Sequence, residues 1–93
     1  MKKKSELQID EYGNKWWYLN DKLHNFNGPA VELSNGDKEW YLNGKCHRID
    51  GPAIEYANGH KAWYLNGKKV KKEDVIINAY LTEKEYLDFV INL

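Results

Sequence analysis

The chain has one cysteine, one arginine, two prolines and no excess of charge of either sign. A single thiol, Cys46, cannot close an intrachain disulfide, and its isolation fits a reducing compartment. Fourteen basic residues balance fourteen acidic ones. That balance argues against a general polyanion binder and equally against an acidic mimic of DNA. Arg48 is the lone arginine, and bidentate recognition of phosphates and bases favours Arg over Lys. No segment approaches the ~20 apolar residues that a bilayer span requires. The opening M-K-K-K is followed by S-E-L-Q-I-D-E-Y and not by an apolar stretch, so it does not read as a secretion signal. The expected location is cytoplasmic, with no membrane partner and no cofactor. Every glycine lies at a turn or just before proline, which leaves no glycine-rich phosphate loop.

What the chain does have is a repeat of 23 residues. Lys15 to Gly36 reads K-W-W-Y-L-N-D-K-L-H-N-F-N-G-P-A-V-E-L-S-N-G, and Lys38 to Gly59 reads K-E-W-Y-L-N-G-K-C-H-R-I-D-G-P-A-I-E-Y-A-N-G. A third copy opens at Lys61 with K-A-W-Y-L-N-G-K and stops. Trp17, Trp40 and Trp63 mark the period, which is that of a repeat architecture. Residues present in every copy are most economically structural. Function is then sought in what the copies display outward, or in what differs between them.

Each copy holds two short strand patterns that end in Asn-Gly, at 35–36, 43–44, 58–59 and 66–67. Asn-Gly between apolar runs signals a hairpin, because a type I′ turn needs positive φ at both central residues. A two-residue Asn35–Gly36 turn would pair Glu32 with Glu39 and Val31 with Trp40. Val31, Leu33, Trp40 and Leu42 would then share a core face, with Tyr41 on the other. A three-residue loop would pair Glu32 with Lys38 but scatter the apolar groups. A cross-strand charge pair contributes roughly 0.2–1 kcal/mol, whereas burying each large apolar side chain contributes roughly 1.5–3 kcal/mol. The expectation is therefore the two-residue turn, with the repeat tryptophans as core.

The chain is thus read as mainly β: an antiparallel meander of about six strands, near 6–11, 15–20, 29–34, 38–43, 52–57 and 61–66, built from 23-residue β-hairpin repeats. Residues 1–70 form the repeat region and 71–93 a helical tail, together one folding unit. Val75, Ile76 and Ile77 suggest a short helix. Thr82-Glu83-Lys84-Glu85 is a capping box, followed by Tyr86, Phe89, Val90 and Leu93 at helical spacing. A one-sided sheet needs a cover, and this tail is the expected one.

The unit W-Y-L-N-G-K-x-H-R-x-D-G-P-A-x-E-Y-x-N-G resembles a repeat found in small proteins of bacteriophages, large viruses and some bacteria. More loosely, it is similar to MORN-type repeats, which form one β-hairpin each. The resemblance covers roughly residues 13–70. It implies a β-hairpin array with a non-enzymatic, interaction-type role, and it supplies no catalytic residues. The Tyr-x-Gly core of MORN repeats is absent here, so their lipid binding is not carried over.

His24 and His47 share a repeat position, with Cys46 beside the second. A metal site needs three or four converging ligands. The third copy has Val70 at the histidine position, so the histidines read as structural or solvent-facing. Adjacent strand residues face opposite ways, which separates Cys46 from His47 as nucleophile and base. The surface candidates for partner binding are Tyr18, Tyr41 and Tyr64, a stripe of period 23, joined by Trp16, where the other copies have Glu39 and Ala62; the same stripe equally fits a second small core beneath the loops. Lys68, Lys69, Lys71 and Lys72 form a basic cluster, with Lys2–Lys4 a second. It reads first as a solvated edge that discourages sheet aggregation, and otherwise as a nucleic-acid contact together with the tyrosine stripe. The expected function is a protein–protein interaction module. Given the resemblance, it would be a phage- or mobile-element-encoded inhibitor, anti-CRISPR-like, acting in the host cytoplasm on a host factor such as a defence nuclease. Homodimerisation is open, and the alternative is a small nucleic-acid-binding protein.

Overall fold

Two different turns built on the same Asn-Gly dipeptide organise the chain. The computed structural model describes residues 5–77. At Asn43–Gly44 and Asn66–Gly67 both residues have positive φ (52° and 79°, 51° and 83°), as a type I′ turn demands. Asn20–Asp21 makes the same turn with φ of 51° and 64°. At the other two sites only the glycine is left-handed, Gly36 at 103° and Gly59 at 92°. There Asn35 Oδ1 accepts the Asp37 N–H at 2.9 Å, and Asn58 Oδ1 accepts the His60 N–H at 2.9 Å. Leu33 and Asp37 bracket a three-residue loop, and the Leu33 N–H donates to the Asp37 carbonyl at 2.9 Å.

The described residues form ten short strands: β1 (Glu6–Ile9), β2 (Lys15–Leu19), β3 (Lys22–Leu23), β4 (Val31–Glu32), β5 (Lys38–Glu39), β6 (Tyr41–Leu42), β7 (Lys45–Cys46), β8 (Ile54–Glu55), β9 (Lys61–Leu65) and β10 (Lys68–Val70). All pairings are antiparallel. The main sheet runs β1-β2-β4-β5-β8-β9-β10 with β3 also on β2, and β6 with β7 forms a separate hairpin. The antiparallel meander expected from the sequence is the architecture, but each copy holds two hairpins. β3, β7 and β10 were not anticipated as strands.

The expected register is corrected. Val31 lies opposite Glu39, and Glu32 opposite Lys38. Lys15 also lies opposite Glu32, Lys38 opposite Glu55, and Lys61 opposite Glu55. One row across the sheet therefore reads Lys15–Glu32–Lys38–Glu55–Lys61, alternating in sign at every step. Each such neighbour contributes roughly 0.2–1 kcal/mol, and there are several. The opposing gain, full burial of the tryptophans, is not realised: Trp17, Trp40 and Trp63 are all half-buried. A slip of one residue exchanges the faces, so Val31 shares its side with Glu39 and Tyr41, not with Trp40.

Small side chains make the tightest part of the structure. Ala30 and Ala53 expose nothing, and Val31, Cys46, Ala62 and Val75 are also buried. The Trp17 N–H donates to the Ala30 carbonyl and the Trp40 N–H to the Ala53 carbonyl, both at 2.8 Å. Each alanine thus sits between the tryptophans of successive copies. A helical turn, α1, covers 72–77. Asp74 caps it by accepting the Lys71 N–H at 3.1 Å. Val75 packs at the last copy, where it lines one groove with Trp63 and Pro52. The described part of the tail therefore lies against the tryptophan face at the last copy. The helix expected from Thr82 onward, and Lys2–Lys4, lie outside the described residues.

Candidate functional site

Each repeat tryptophan is a fork in the hydrogen-bond ladder. The Trp17 N–H reaches Ala30, while its carbonyl accepts the His24 N–H at 2.9 Å. Trp40 does the same with Ala53 and His47, at 2.8 and 2.9 Å. The chain between the two prongs, 24–30 in one copy and 47–53 in the next, must leave the sheet as a loop. Asn25 Nδ2 holds the first loop by donating to the Pro29 carbonyl at 3.0 Å. Its repeat equivalent Arg48 holds the second, donating through Nη1 to the Pro52 carbonyl at 3.0 Å and through Nε to Asp50 at 2.9 Å. The Arg48 guanidinium also lies 3.9 Å from the centre of the Trp40 ring, a cation–π contact.

Among the described residues, these loops, together with α1 at the last copy, divide the tryptophan face into three open grooves of about 440, 500 and 420 Å³. The first is floored by Trp17 and Leu19, the second by Trp40 and Leu42, and the third by Trp63. Phe26 borders the first two and Ile49 the last two. Phe26 is 82% exposed and Ile49 47% exposed, at the same repeat position. Apolar loop tips exposed to this degree, in register and beside half-open tryptophans, form a patch of the kind that marks interaction surfaces.

The histidines do structural work between copies. His24 Nδ1 accepts the Asn43 N–H, and His47 Nδ1 accepts the Asn66 N–H, both at 2.9 Å. Accepting at Nδ1 places the ring proton on Nε2. Asn14 Oδ1 and Asp37 Oδ1 act likewise one turn away, accepting the Ser34 and Ala57 N–H groups at 2.7 Å. These recurring spacings of 19 and 20 residues fasten one copy to the next, and sequence reasoning missed them. Among the described residues no group of three or more His, Cys, Asp or Glu converges on a common point. Cys46 lies opposite Tyr41. Burial, reinforced by the Glu39 charge, pushes its thiol up to about 11.

Trp16, Tyr18, Tyr41 and Tyr64 are half-buried, on the side opposite the grooves. Trp16 faces Val31 across the ladder, Tyr18 faces Leu23, and Tyr64 faces Lys69. The Tyr41 hydroxyl donates to Glu39 at 2.8 Å. Burial first, then that bond and the carboxylate charge, hold its phenol well above the ordinary range. The lysine cluster is divided. Lys68 lies opposite Leu65 and Lys69 opposite Tyr64, so the two face opposite sides of the sheet, while Lys71 and Lys72 are exposed at the start of α1. No described helix is long and apolar enough to cross a membrane. No protein-family model, no curated protein and no solved structure matches the chain.

Proposed function

We propose that this chain is a non-enzymatic protein-binding module whose contact surface is the grooved tryptophan face. The observation that carries this reading is the pair of exposed apolar tips, Phe26 and Ile49, standing in repeat register beside grooves floored by Trp17, Trp40 and Trp63. Aromatic side chains in partly enclosed pockets dominate binding energy at protein interfaces. The tyrosine side is the weaker surface, because Tyr41 is engaged with Glu39 and backed by buried Cys46. The resemblance of the repeat to those of phage and viral proteins supports a host factor, such as a defence nuclease, as the class of partner.

The test is capture of partners from host cells by three immobilised proteins: the wild type, a Phe26→Ser/Ile49→Ser double variant, and a Tyr12→Ser control at an exposed turn away from the grooves. A protein retained by wild type and control but lost by the double variant supports the reading. Equal retention by all three rules out this face. Loss with Tyr18→Ser alone transfers the contact to the tyrosine side.

A further inference from the structure

Successive tryptophans along the face are separated by two strand spacings, with Ala30 or Ala53 between them. Neighbouring strands lie about 4.8 Å apart, so the grooves recur about every 10 Å. The face also carries two columns of lysines. Lys15, Lys38 and Lys61 share it by alternation with the tryptophans. Lys22, Lys45 and Lys68 share it because they lie opposite Leu19, Leu42 and Leu65. The first column is answered in place by Glu32 and Glu55. The second has no acidic residue opposite it in the ladder, and its three members are exposed. Lys22 runs against Gly44, and Lys45 against Gly67, so this column follows the line of type I′ turns.

Resting on the protein-binding reading, we infer that the tryptophan grooves take an extended, acidic segment of a partner protein in the polyproline II conformation, with an apolar side chain at every third residue. A polyproline II helix advances about 3.1 Å per residue and returns to the same face every three, about 9.3 Å. That repeat matches the groove spacing, whereas same-face residues of a β-strand recur at about 6.6 Å. Aromatic-lined grooves are the usual receptors for such helices, whose ordering cost is low. The segment crosses the strands, drops one apolar side chain into each groove, and passes Phe26 and Ile49. Its carboxylates meet the lysine column at the turns.

The test uses the full chain and a fluorescein-labelled peptide of four Leu-Pro-Glu triplets, read by fluorescence anisotropy. Saturable binding is expected, weakened at least about tenfold by Phe26→Ser/Ile49→Ser. Lys45→Glu and a rise in salt should each weaken it several-fold. Equal binding of a Leu-Pro-Lys peptide overturns the charge argument and with it the inference. Tighter binding of a twelve-nucleotide oligothymidylate overturns both the inference and the protein-partner reading. Tighter binding of a peptide comprising residues 78–93 assigns the grooves to the chain's own tail or that of a second copy, and overturns the inference. Absence of any binding also overturns it, while groove-dependent capture from host cells would leave the broader reading standing.

Discussion

His47 and Cys46 are neighbours in sequence with unrelated tasks, and each can be tested alone. His47 Nδ1 supplies the acceptor for the Asn66 N–H. His47→Phe keeps an aromatic ring and removes the acceptor, so stability should fall by about 1–2 kcal/mol in urea denaturation. An unchanged midpoint would mean water replaces the bond without loss. The Cys46 thiol is held up at about 11 against an ordinary value of 9.0. An acid whose folded pKa is raised favours folding in its neutral form. That stability is fully present below the unfolded value and is lost as pH climbs through the folded one. Denaturation midpoints should therefore be flat near neutrality and decline between about pH 9 and 11, with a smaller decline in Cys46→Ala. The two loop glycines separate in the same way. A Cβ on Gly51 would stand 2.8 Å from the Arg48 guanidinium, whereas one on Gly28 has its nearest neighbour at 3.8 Å. Gly51→Ala should displace Arg48 from Trp40, cost about 1 kcal/mol and change tryptophan emission. Gly28→Ala should stay within about 0.5 kcal/mol.

At the level of elements, turn geometry decides the hairpins. Gly44 and Gly67 hold the second position of type I′ turns at φ of 79° and 83°, while the first copy places Asp21 there at 64°. Asp21→Gly should raise stability by about 0.5 kcal/mol, and Gly44→Ala should lower it by about 1–2 kcal/mol. Opposite signs in thermal melts would support the turn assignment, and equal signs would contradict it. The repeat, its β-hairpin content and the Asn43–Gly44 and Asn66–Gly67 turns were legible in the sequence, because they depend on local φ and on periodicity. The turn at Asn35–Gly36 was not, because the same dipeptide fits a three-residue loop. The decisive information lay in residues far apart, the alternating Lys15, Glu32, Lys38, Glu55 and Lys61. The tryptophans were expected as core because each has a large apolar area. In a sheet whose described residues form one layer, that area stays half open and becomes a surface. The tyrosines lie opposite the tryptophans by simple alternation along the strands, and Tyr41's bond to Glu39 could not be read without knowing the register.

At the level of the whole molecule, copies are joined by repeated backbone and side-chain bonds, and the same spacing that joins them spaces the grooves. Charge is neutral over the chain yet uneven across it, with the turn-edge lysines lying on the groove side. The central claim is that contact is made on this side, at the grooves between the loops. The most direct measurement is an NMR titration of this chain, labelled at its four tryptophan indoles, with the acidic Leu-Pro-Glu peptide. Shifts at the Trp17, Trp40 and Trp63 indoles and at the 24–29 and 47–52 amides, with Trp16 unmoved, are the predicted result. Shifts concentrated at Trp16 and the amides of Tyr18, Tyr41 and Tyr64 would contradict it.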